Sequence, residues 1–323
     1  MTTEKPILAI VVPCFNEEEE LVGTNQQLSQ LISELVQKGM VSDKSRIAYV
    51  DDGSTDATWT IVENLCHDAP SVVCGVKLSA NSGHQNALMA GLEAMLDSCD
   101  IFVTIDADLQ DDIAAIPTMI EKWAEGCDIV YGVRNKRRTD SWFKRTTAVN
   151  FYRFMRHCGI KMVYNHADFR LMSKRAVTQL MRYPERNLFL RGIVPLLGYR
   201  TAEVAYDRKE RTAGKSKYSL SKMIGFAVDG ITSFSVRPVR MVLNIGVVFI
   251  IIAILILAYV LYSKFSGHAV TGWASMILSL WFIGGCVLIG LGIVGEYIGK
   301  IYMEVKARPR YNVEQKLNIE DKK

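Results

Sequence analysis

Residues 101–110 read Ile-Phe-Val-Thr-Ile-Asp-Ala-Asp-Leu-Gln, and they are the most informative segment for predicting the fold class. A short run rich in β-branched residues, typical of a buried strand, is followed directly by a polar loop. Similar apolar runs occur earlier in the chain, at residues 7–12, 45–50 and 72–78. Helical patterns separate or follow these runs, at residues 20–36, 58–65, 85–96 and 117–124. Strands of this kind alternating with helices predict an α/β domain with a mostly parallel, Rossmann-like sheet.

Two long stretches without charge follow this mixed part of the chain. Residues 241–262 form an uncharged run of 22 residues, and residues 272–295 form another of 24. Each would span about 30 Å as a helix, which matches the hydrocarbon core of a bilayer. Basic residues flank the pair on both outer sides, whereas Lys264 is the one lysine or arginine in the short connection between the runs. This asymmetry predicts a transmembrane hairpin with both termini in the cytosol.

The chain therefore divides into four predicted parts, namely an α/β domain at 1–215, a juxtamembrane amphipathic helix at 216–240, two transmembrane helices within 241–299, and a cytosolic tail at 300–323. The apolar residues of the second part recur at helical spacing, which fits either a core-facing helix or one lying along the bilayer surface.

The net charge of +4 is too small to indicate nucleic-acid binding. The seven cysteines form no Cys-x-x-Cys pair, so we expect reduced thiols.

Polar loops follow the predicted strands, and ligands of such sheets bind beyond the carboxyl ends of the strands. The second loop contains Asp52, which is well placed to accept hydrogen bonds from a base or a ribose. The third contains His84, which has no catalytic partner near it in sequence and which we expect to be structural. The fourth contains Asp106 and Asp108, two hard oxygen ligands suited to Mg²⁺ or Mn²⁺ bridging the phosphates of a substrate.

The Asp-x-Asp pattern has a second interpretation. Phosphatases with an aspartyl nucleophile also carry it at the end of a strand. Their usual Gly-Thr continuation is replaced here by Leu109-Gln110. Because both interpretations involve phosphate chemistry, the pattern alone leaves the phosphatase as an alternative.

Further motifs bear on these two interpretations. Six segments, in the same order along the chain, resemble glycosyltransferase family 2, and within it the polyprenyl-phosphate branch. The segments are Pro13-Cys14-Phe15-Asn16-Glu17, Asp51-Asp52-Gly53-Ser54, Asp106-Ala107-Asp108-Leu109-Gln110, Asp168-Phe169-Arg170, Arg211-Thr212-Ala213-Gly214-Lys215-Ser216-Lys217, and Gly295 to Lys300 with Arg308-Pro309-Arg310-Tyr311. The similarity extends over nearly the whole chain. One such motif would be weak, whereas six in order are specific.

The resemblance implies a GT-A fold, a sugar-nucleotide donor, Mg²⁺ or Mn²⁺ as cofactor, and site residues that can be carried over position by position. The metal and diphosphate would be surrounded by Asp106, Asp108 and Gln110. The nucleotide would be held by Pro13, Phe15, Glu17 and Asp52. The donor and acceptor phosphates would be bound by Arg134, Arg145, Arg211 and Lys217. The catalytic residues would be Asp108, Asp168 and Arg170.

The resemblance also implies the reaction and its location. One hexosyl group would pass, with inversion, from a UDP-linked sugar to undecaprenyl phosphate at the cytosolic face of a bacterial inner membrane. Asp168 would serve either as a general base or as an orienting group. The resemblance alone suggests a homo-oligomer, a tetramer. The alternatives are a membrane-tethered phosphatase and a nucleotide-sugar binding protein without turnover.

Overall fold

The structure, a computed structural model, describes residues 5–135, 166–186, 188–207 and 272–319, together with isolated positions between 239 and 262. The chain divides into two compact units. The first comprises Met1–Arg156, Lys161–Lys217 and Arg308–Lys323. The second comprises His157–Ile160 and Tyr218–Ala307.

An eight-stranded sheet forms the centre of the first unit. Its strands are β1 (Leu8–Cys14), β2 (Arg46–Asp51), β3 (Val73–Leu78), β4 (Ile101–Thr104), β5 (Ile129–Arg134), β6 (His166–Ser173), β7 (Thr201–Tyr206) and β8 (Val313–Leu317). Their order across the sheet is β7-β5-β6-β4-β1-β2-β3-β8. Strand β1 pairs in parallel with β2 and β4, and β2 pairs in parallel with β3. The GT-A-like α/β fold with a mostly parallel sheet is therefore confirmed.

Helices connect and cover these strands. They are α1 (Leu21–Gln37), α2 (Thr58–Asp68), α3 (His84–Met95), α4 (Ile116–Ala124), α5 (Lys174–Met181) and α6 (Leu190–Leu196). Helix α3 lies very close to the sheet at Gly91, where an added Cβ would come within 2.5 Å of Val11 Cγ1 and 2.6 Å of Val50 Cγ2. This close packing fixes the amino end of α3, which begins at His84, beside the carboxyl ends of the strands.

The elements predicted for the first part of the chain are confirmed to within three residues at each end. They form as predicted because parallel strands are buried on both faces, and all seven residues of β1 are buried. Strand β6 was not predicted, and it runs antiparallel to both β4 and β5. It brings the Asp168-Phe169-Arg170 motif into the centre of the sheet.

The described part of the second unit includes a long helix, α7 (Trp273–Lys306). Among the described residues, a single stretch, Phe282–Lys306, is long and apolar enough to cross a membrane. The predicted second span at 272–295 lies within α7 from its second residue onward, and the helix continues to Lys306. The described positions between 239 and 262 are helical. Most of the predicted first span and of the segment at 216–240 lies outside the described residues, so the hairpin stays a prediction.

The residues after α7 return to the first unit as an edge strand, a feature that the predicted tail at 300–323 did not include. Strand β8 pairs antiparallel with β3, and Lys77 Nζ lies 3.2 Å from Glu314 Oε1 across this pair. Asn318 closes the strand, because its Nδ2 donates at 2.9 Å to the carbonyl oxygens of both Cys66 and Val73. The tail is thus an integral part of the sheet.

We expect Asn318→Ala to loosen this edge strand. Asn318 has a φ of 58°, a left-handed conformation that asparagine tolerates and alanine does not, and alanine also removes both side-chain hydrogen bonds. The combined loss of about 1 to 2 kcal/mol should speed hydrogen exchange of the β8 amides roughly five- to thirtyfold. Asn318→Gly restores the backbone freedom alone and should fall between wild type and Asn318→Ala. Equal exchange in all three proteins would contradict this role.

Candidate active site

The loops after β1 and β2 are joined by hydrogen bonds at the carboxyl end of the sheet. Asn16, with a φ of 54°, accepts at its Oδ1 a hydrogen bond of 2.9 Å from the Thr55 backbone N–H. Its own backbone N–H donates to Ser54 Oγ at 3.0 Å. The Glu17 backbone N–H donates to Thr58 Oγ1 at 3.0 Å. The two loops that carry the predicted nucleotide-binding residues are therefore fixed to each other.

Asp52 fixes a third loop to the same edge. Its Oδ1 accepts the Ser82 N–H at 2.7 Å and its Oδ2 accepts the Gly83 N–H at 3.0 Å. Burial raises the pKa of Asp52, and these backbone donors oppose the rise. Gly53 allows the close approach, since an added Cβ would lie 2.6 Å from the Asn81 nitrogen. Asp52 therefore orders the residues that lead into α3.

The four predicted nucleotide-binding residues lie at the ends of β1 and β2 or on the loops that follow them, and they differ in exposure. Pro13 is buried within β1, and Asp52 is buried as well. Phe15 is the exposed member, with 41% of its surface accessible. The structure places these residues at one edge of the sheet, which is where the sequence predicts a binding site.

The Asp-x-Asp motif follows β4 directly, as the sequence predicts. The Asp106 side chain is 44% exposed, yet its Oδ1 is buried and accepts no hydrogen bond. Gln110 supports the second carboxylate, because its Nε2 donates to Asp108 Oδ2 at 2.7 Å. Gln110 thus orients Asp108 through its amide nitrogen.

This carboxylate group fits a divalent metal that shares its coordination with a substrate. Burial raises the pKa of Asp106, His84 opposes this rise, and the charges of Asp168, Asp111 and Asp108 add to it. A bound cation would relieve this repulsion. No set of three or more His, Cys, Asp or Glu side chains within the described ranges forms a complete metal site. Mg²⁺ commonly takes one or two carboxylates and completes its shell with water and substrate phosphates, so Asp106 and Asp108 suffice.

The Asp168-Phe169-Arg170 motif lies on β6, beside the Asp-x-Asp motif. Thr104 pairs with Arg170 in the antiparallel register of β4 and β6, and continuing this register places Asp106 opposite Asp168. The Thr104 hydroxyl donates to the carbonyl oxygen of Asp168. The two sequence motifs therefore meet at one point, although more than fifty residues separate them in the chain.

Two arginines bind the Asp168 carboxylate. Arg170, only 1% exposed, donates from Nη2 to Asp168 Oδ1 at 2.5 Å, and Arg191 donates from Nη2 to Asp168 Oδ2 at 3.1 Å. Burial alone would raise the pKa of Asp168, but the charges of Arg191, Arg170 and His84 outweigh it and hold the pKa well below the ordinary value. Asp168 is thus held as an anion.

His84 lies between the two motifs, although the sequence predicted a structural role for it. Its Nε2 is 3.5 Å from Asp106 Oδ1 and 3.9 Å from Asp168 Oδ2, and its side chain is 44% exposed. Of the four predicted phosphate-binding residues, the structure describes Arg134, which donates to Asp111 at 3.0 Å and to the Tyr206 hydroxyl at 3.1 Å. The predicted residues Arg145, Arg211 and Lys217 lie outside the described residues.

Sequence reasoning missed Arg191 and left His84 out of the site. Arg191 lies in an apolar segment, Phe189-Leu190-Arg191-Gly192, that matches none of the quoted motifs. Its one signal is a lone cation among residues that are otherwise buried, such as Phe189 and Leu190. For His84, the position in the chain was the available signal, because it follows the loop after β3 and Asp106 follows β4.

Comparison with known proteins identifies the family of the chain. The model of the family described as "Glycosyl transferase family 2" matches residues 9–181, which include β1 to β6 and α5. The solved structure of glucosyl-3-phosphoglycerate synthase from Mycobacterium tuberculosis with Mn²⁺, uridine-diphosphate-glucose and phosphoglyceric acid aligns with a TM-score of 0.42 and 19% identity. That alignment covers 70% of this chain and 78% of the other.

Several relatives match over almost the full length. "Uncharacterized glycosyltransferase YkoT" of Bacillus subtilis is 52% identical over 97% of this chain and 93% of its own length. The "Bactoprenol glucosyl transferase" of Shigella phage SfX is 40% identical over 96% of this chain and 99% of its own length. The "Prophage bactoprenol glucosyl transferase homolog" of Escherichia coli is 40% identical over 95% of this chain and 98% of its own length.

Proposed function

Because the chain belongs to glycosyl transferase family 2 and is therefore a glycosyltransferase, we propose that it transfers one sugar from a nucleoside diphosphate sugar to the phosphate of a polyprenyl lipid. The observation that carries this proposal is that the Asp106 carboxylate lies beside the Asp168 cluster, which consists of Asp168, Arg170 and Arg191. His84 lies between them, at 3.5 Å from Asp106 Oδ1 and 3.9 Å from Asp168 Oδ2. The Asp106 carboxylate suits a metal and the diphosphate of the donor, and the Asp168 cluster suits the acceptor. The bactoprenol glucosyl transferases among the relatives favour a UDP-linked hexose and undecaprenyl phosphate.

On the donor side, Asp106 and Asp108 would hold Mg²⁺ or Mn²⁺. Such an ion neutralises the charge that develops on a leaving diphosphate. Gln110 keeps Asp108 in one orientation by its hydrogen bond of 2.7 Å. The fixed loops after β1 and β2 would hold the nucleoside, with Phe15 as the exposed aromatic surface beside them.

On the acceptor side, the nucleophile needs no strong base. A phosphate monoester has a second pKa near 6 and is largely a dianion at neutral pH. Asp168 is bound by two arginines that stabilise its anion, whereas a general base works best with a pKa near the operating pH. We therefore assign Asp168 an orienting role, and Arg170 the role of holding it in place from the buried side.

The chain path supports membrane attachment with the active site on one face. Strand β8 pairs with β3 in the first unit, so residues 313–317 lie on the same side of a membrane as the sheet. If α7 crosses the bilayer once, the chain between residues 207 and 273 must also cross an odd number of times. The uncharged run at 241–262 supplies one crossing. The flanking basic residues favour a cytosolic location for both termini and for the site.

The test is a donor screen with the purified full-length protein in detergent and undecaprenyl phosphate. Mass spectrometry of the extracted lipid should show a mass gain of one hexose with a single sugar nucleotide, and the gain should vanish when the metal is chelated. Release of inorganic phosphate without lipid product would favour the phosphatase. Binding of sugar nucleotide with neither product would favour a binding protein without turnover.

A further inference from the structure

The Asp168 cluster has an exposed cationic face that no sequence motif assigns. We infer that Arg191 and His84 together bind the phosphate group of the acceptor. This inference rests on the proposed function, since it names the place where the acceptor of that reaction is held. It differs from the motif-based expectation, which gave the phosphates to Arg134, Arg145, Arg211 and Lys217.

The charge of the cluster favours an anion. The divalent metal proposed above would balance the charges of Asp106 and Asp108. The remaining carboxylate, Asp168, is bound by the two guanidinium groups of Arg170 and Arg191, so these three side chains carry one net positive charge. A cation in excess at a half-buried position attracts an anion more strongly than it would in bulk water. A phosphate monoester is the anion that the acceptor of the proposed reaction would bring.

The exposure of the two arginines decides which one is available to a ligand. Arg170 is 1% exposed and contacts Asp168 from the buried side, whereas Arg191 is 36% exposed. Arg134 is 18% exposed and is bonded to Asp111. Arg191 is therefore the more accessible of these three cations.

His84 provides a second donor next to Arg191. The His84 Nε2 and the Arg191 Nη2 both approach the same oxygen, Asp168 Oδ2, at 3.9 and 3.1 Å. The His84 distances are too long for direct hydrogen bonds, so an oxygen atom of a ligand can lie beside the imidazole without displacing a strong contact. A phosphate has three terminal oxygens and can accept from both side chains at once.

The two donors are held together by the fold. The Leu190 N–H, adjacent to Arg191, donates to Gln85 Oε1 at 2.6 Å, and Gln85 is adjacent to His84. Asp52 fixes the loop before His84 through two hydrogen bonds. The pair is thus positioned before any ligand arrives, which reduces the entropy cost of binding.

The experiment measures binding of farnesyl phosphate, a short polyprenyl monophosphate, to the full-length protein in detergent by calorimetry. Arg191→Ala should raise its Kd about ten- to a hundredfold, the loss of one charge-assisted hydrogen bond, and Arg191→Lys should recover part of the affinity. His84→Ala should raise it about two- to tenfold. The matched control is Arg175→Ala, since Arg175 also pairs with an aspartate, Asp128, but at the opposite end of β6.

Farnesol and the sugar nucleotide chosen by the donor screen complete the test. We expect Arg191→Ala to leave farnesol binding, donor binding and the melting temperature close to those of wild type. Unchanged farnesyl phosphate binding in Arg191→Ala, an equal loss of donor affinity, or no farnesyl phosphate binding by wild type would each overturn the inference. Wild type that binds farnesyl phosphate through Arg191 but transfers no sugar would instead refute the proposed function.

Discussion

Asp108→Ala is expected to lower the rate of sugar transfer by about a thousandfold or more. The carboxylate lies directly after β4, and Gln110 holds it in a single orientation. Without it, Asp106 would be the sole carboxylate of the motif left to bind the metal. Loss of metal-based charge stabilisation costs several kcal/mol of the barrier, and each 1.36 kcal/mol is about tenfold in rate.

The measurement is the initial rate of lipid glycosylation over a range of Mg²⁺ and Mn²⁺ concentrations. Asp108→Asn should be almost as slow as Asp108→Ala, because the amide keeps the shape but loses the charge. Asp43→Ala removes an exposed carboxylate that precedes β2 and should act like wild type. Full transfer by Asp108→Ala in a buffer with chelator would refute the metal role.

Asp168→Ala is expected to destabilise the first unit as well as to stop transfer. Arg170 is 1% exposed, and its Nε and Nη1 have no hydrogen-bond partner within the described structure. Removing Asp168 would leave a buried guanidinium without its carboxylate, which costs about 3 to 5 kcal/mol. For a unit of this size the melting temperature should fall by about 6 to 20 °C.

A second substitution separates charge from packing. Asp168→Ala combined with Arg170→Met removes the buried charge and should regain most of the melting temperature, while transfer stays absent. Arg175→Ala breaks a pair in which the arginine is 66% exposed, and it should change the melting temperature little. If the double variant melts as low as Asp168→Ala, the loss is one of packing and the argument from buried charge is wrong.

The sequence allows prediction of an element or a site residue where burial or chemistry produces a pattern among neighbouring residues. Strands β1 to β4 are continuous apolar runs because helices cover both faces of the parallel sheet. Polar residues that directly follow parallel strands lie at one edge of the sheet, so position alone predicts that Asp52, Asp106 and Asp108 lie together there. These residues are the part of the candidate site that needs no knowledge of long-range contacts.

The remaining part of the site depends on contacts between distant segments. His84 and Asp168 come from α3 and β6, and only the antiparallel insertion of β6 beside β4 brings them together. Strand β8 shows a second limit of prediction from the sequence. Its sequence, Val-Glu-Gln-Lys-Leu, has four exposed residues out of five, because an edge strand with open faces leaves little apolar signal.

The pairing of β8 with β3 also sets an order on the synthesis of the protein. Asn318 and the Val73 carbonyl that it binds are 245 residues apart in the chain. Domains begin to fold during translation from the amino end, at about 5 to 20 residues per second. The edge of β3 therefore stays without its neighbour until the ribosome has made the apolar segments between them. The last strand of the sheet is added only after these segments have been made, so completion of the sheet waits for synthesis of nearly the whole chain.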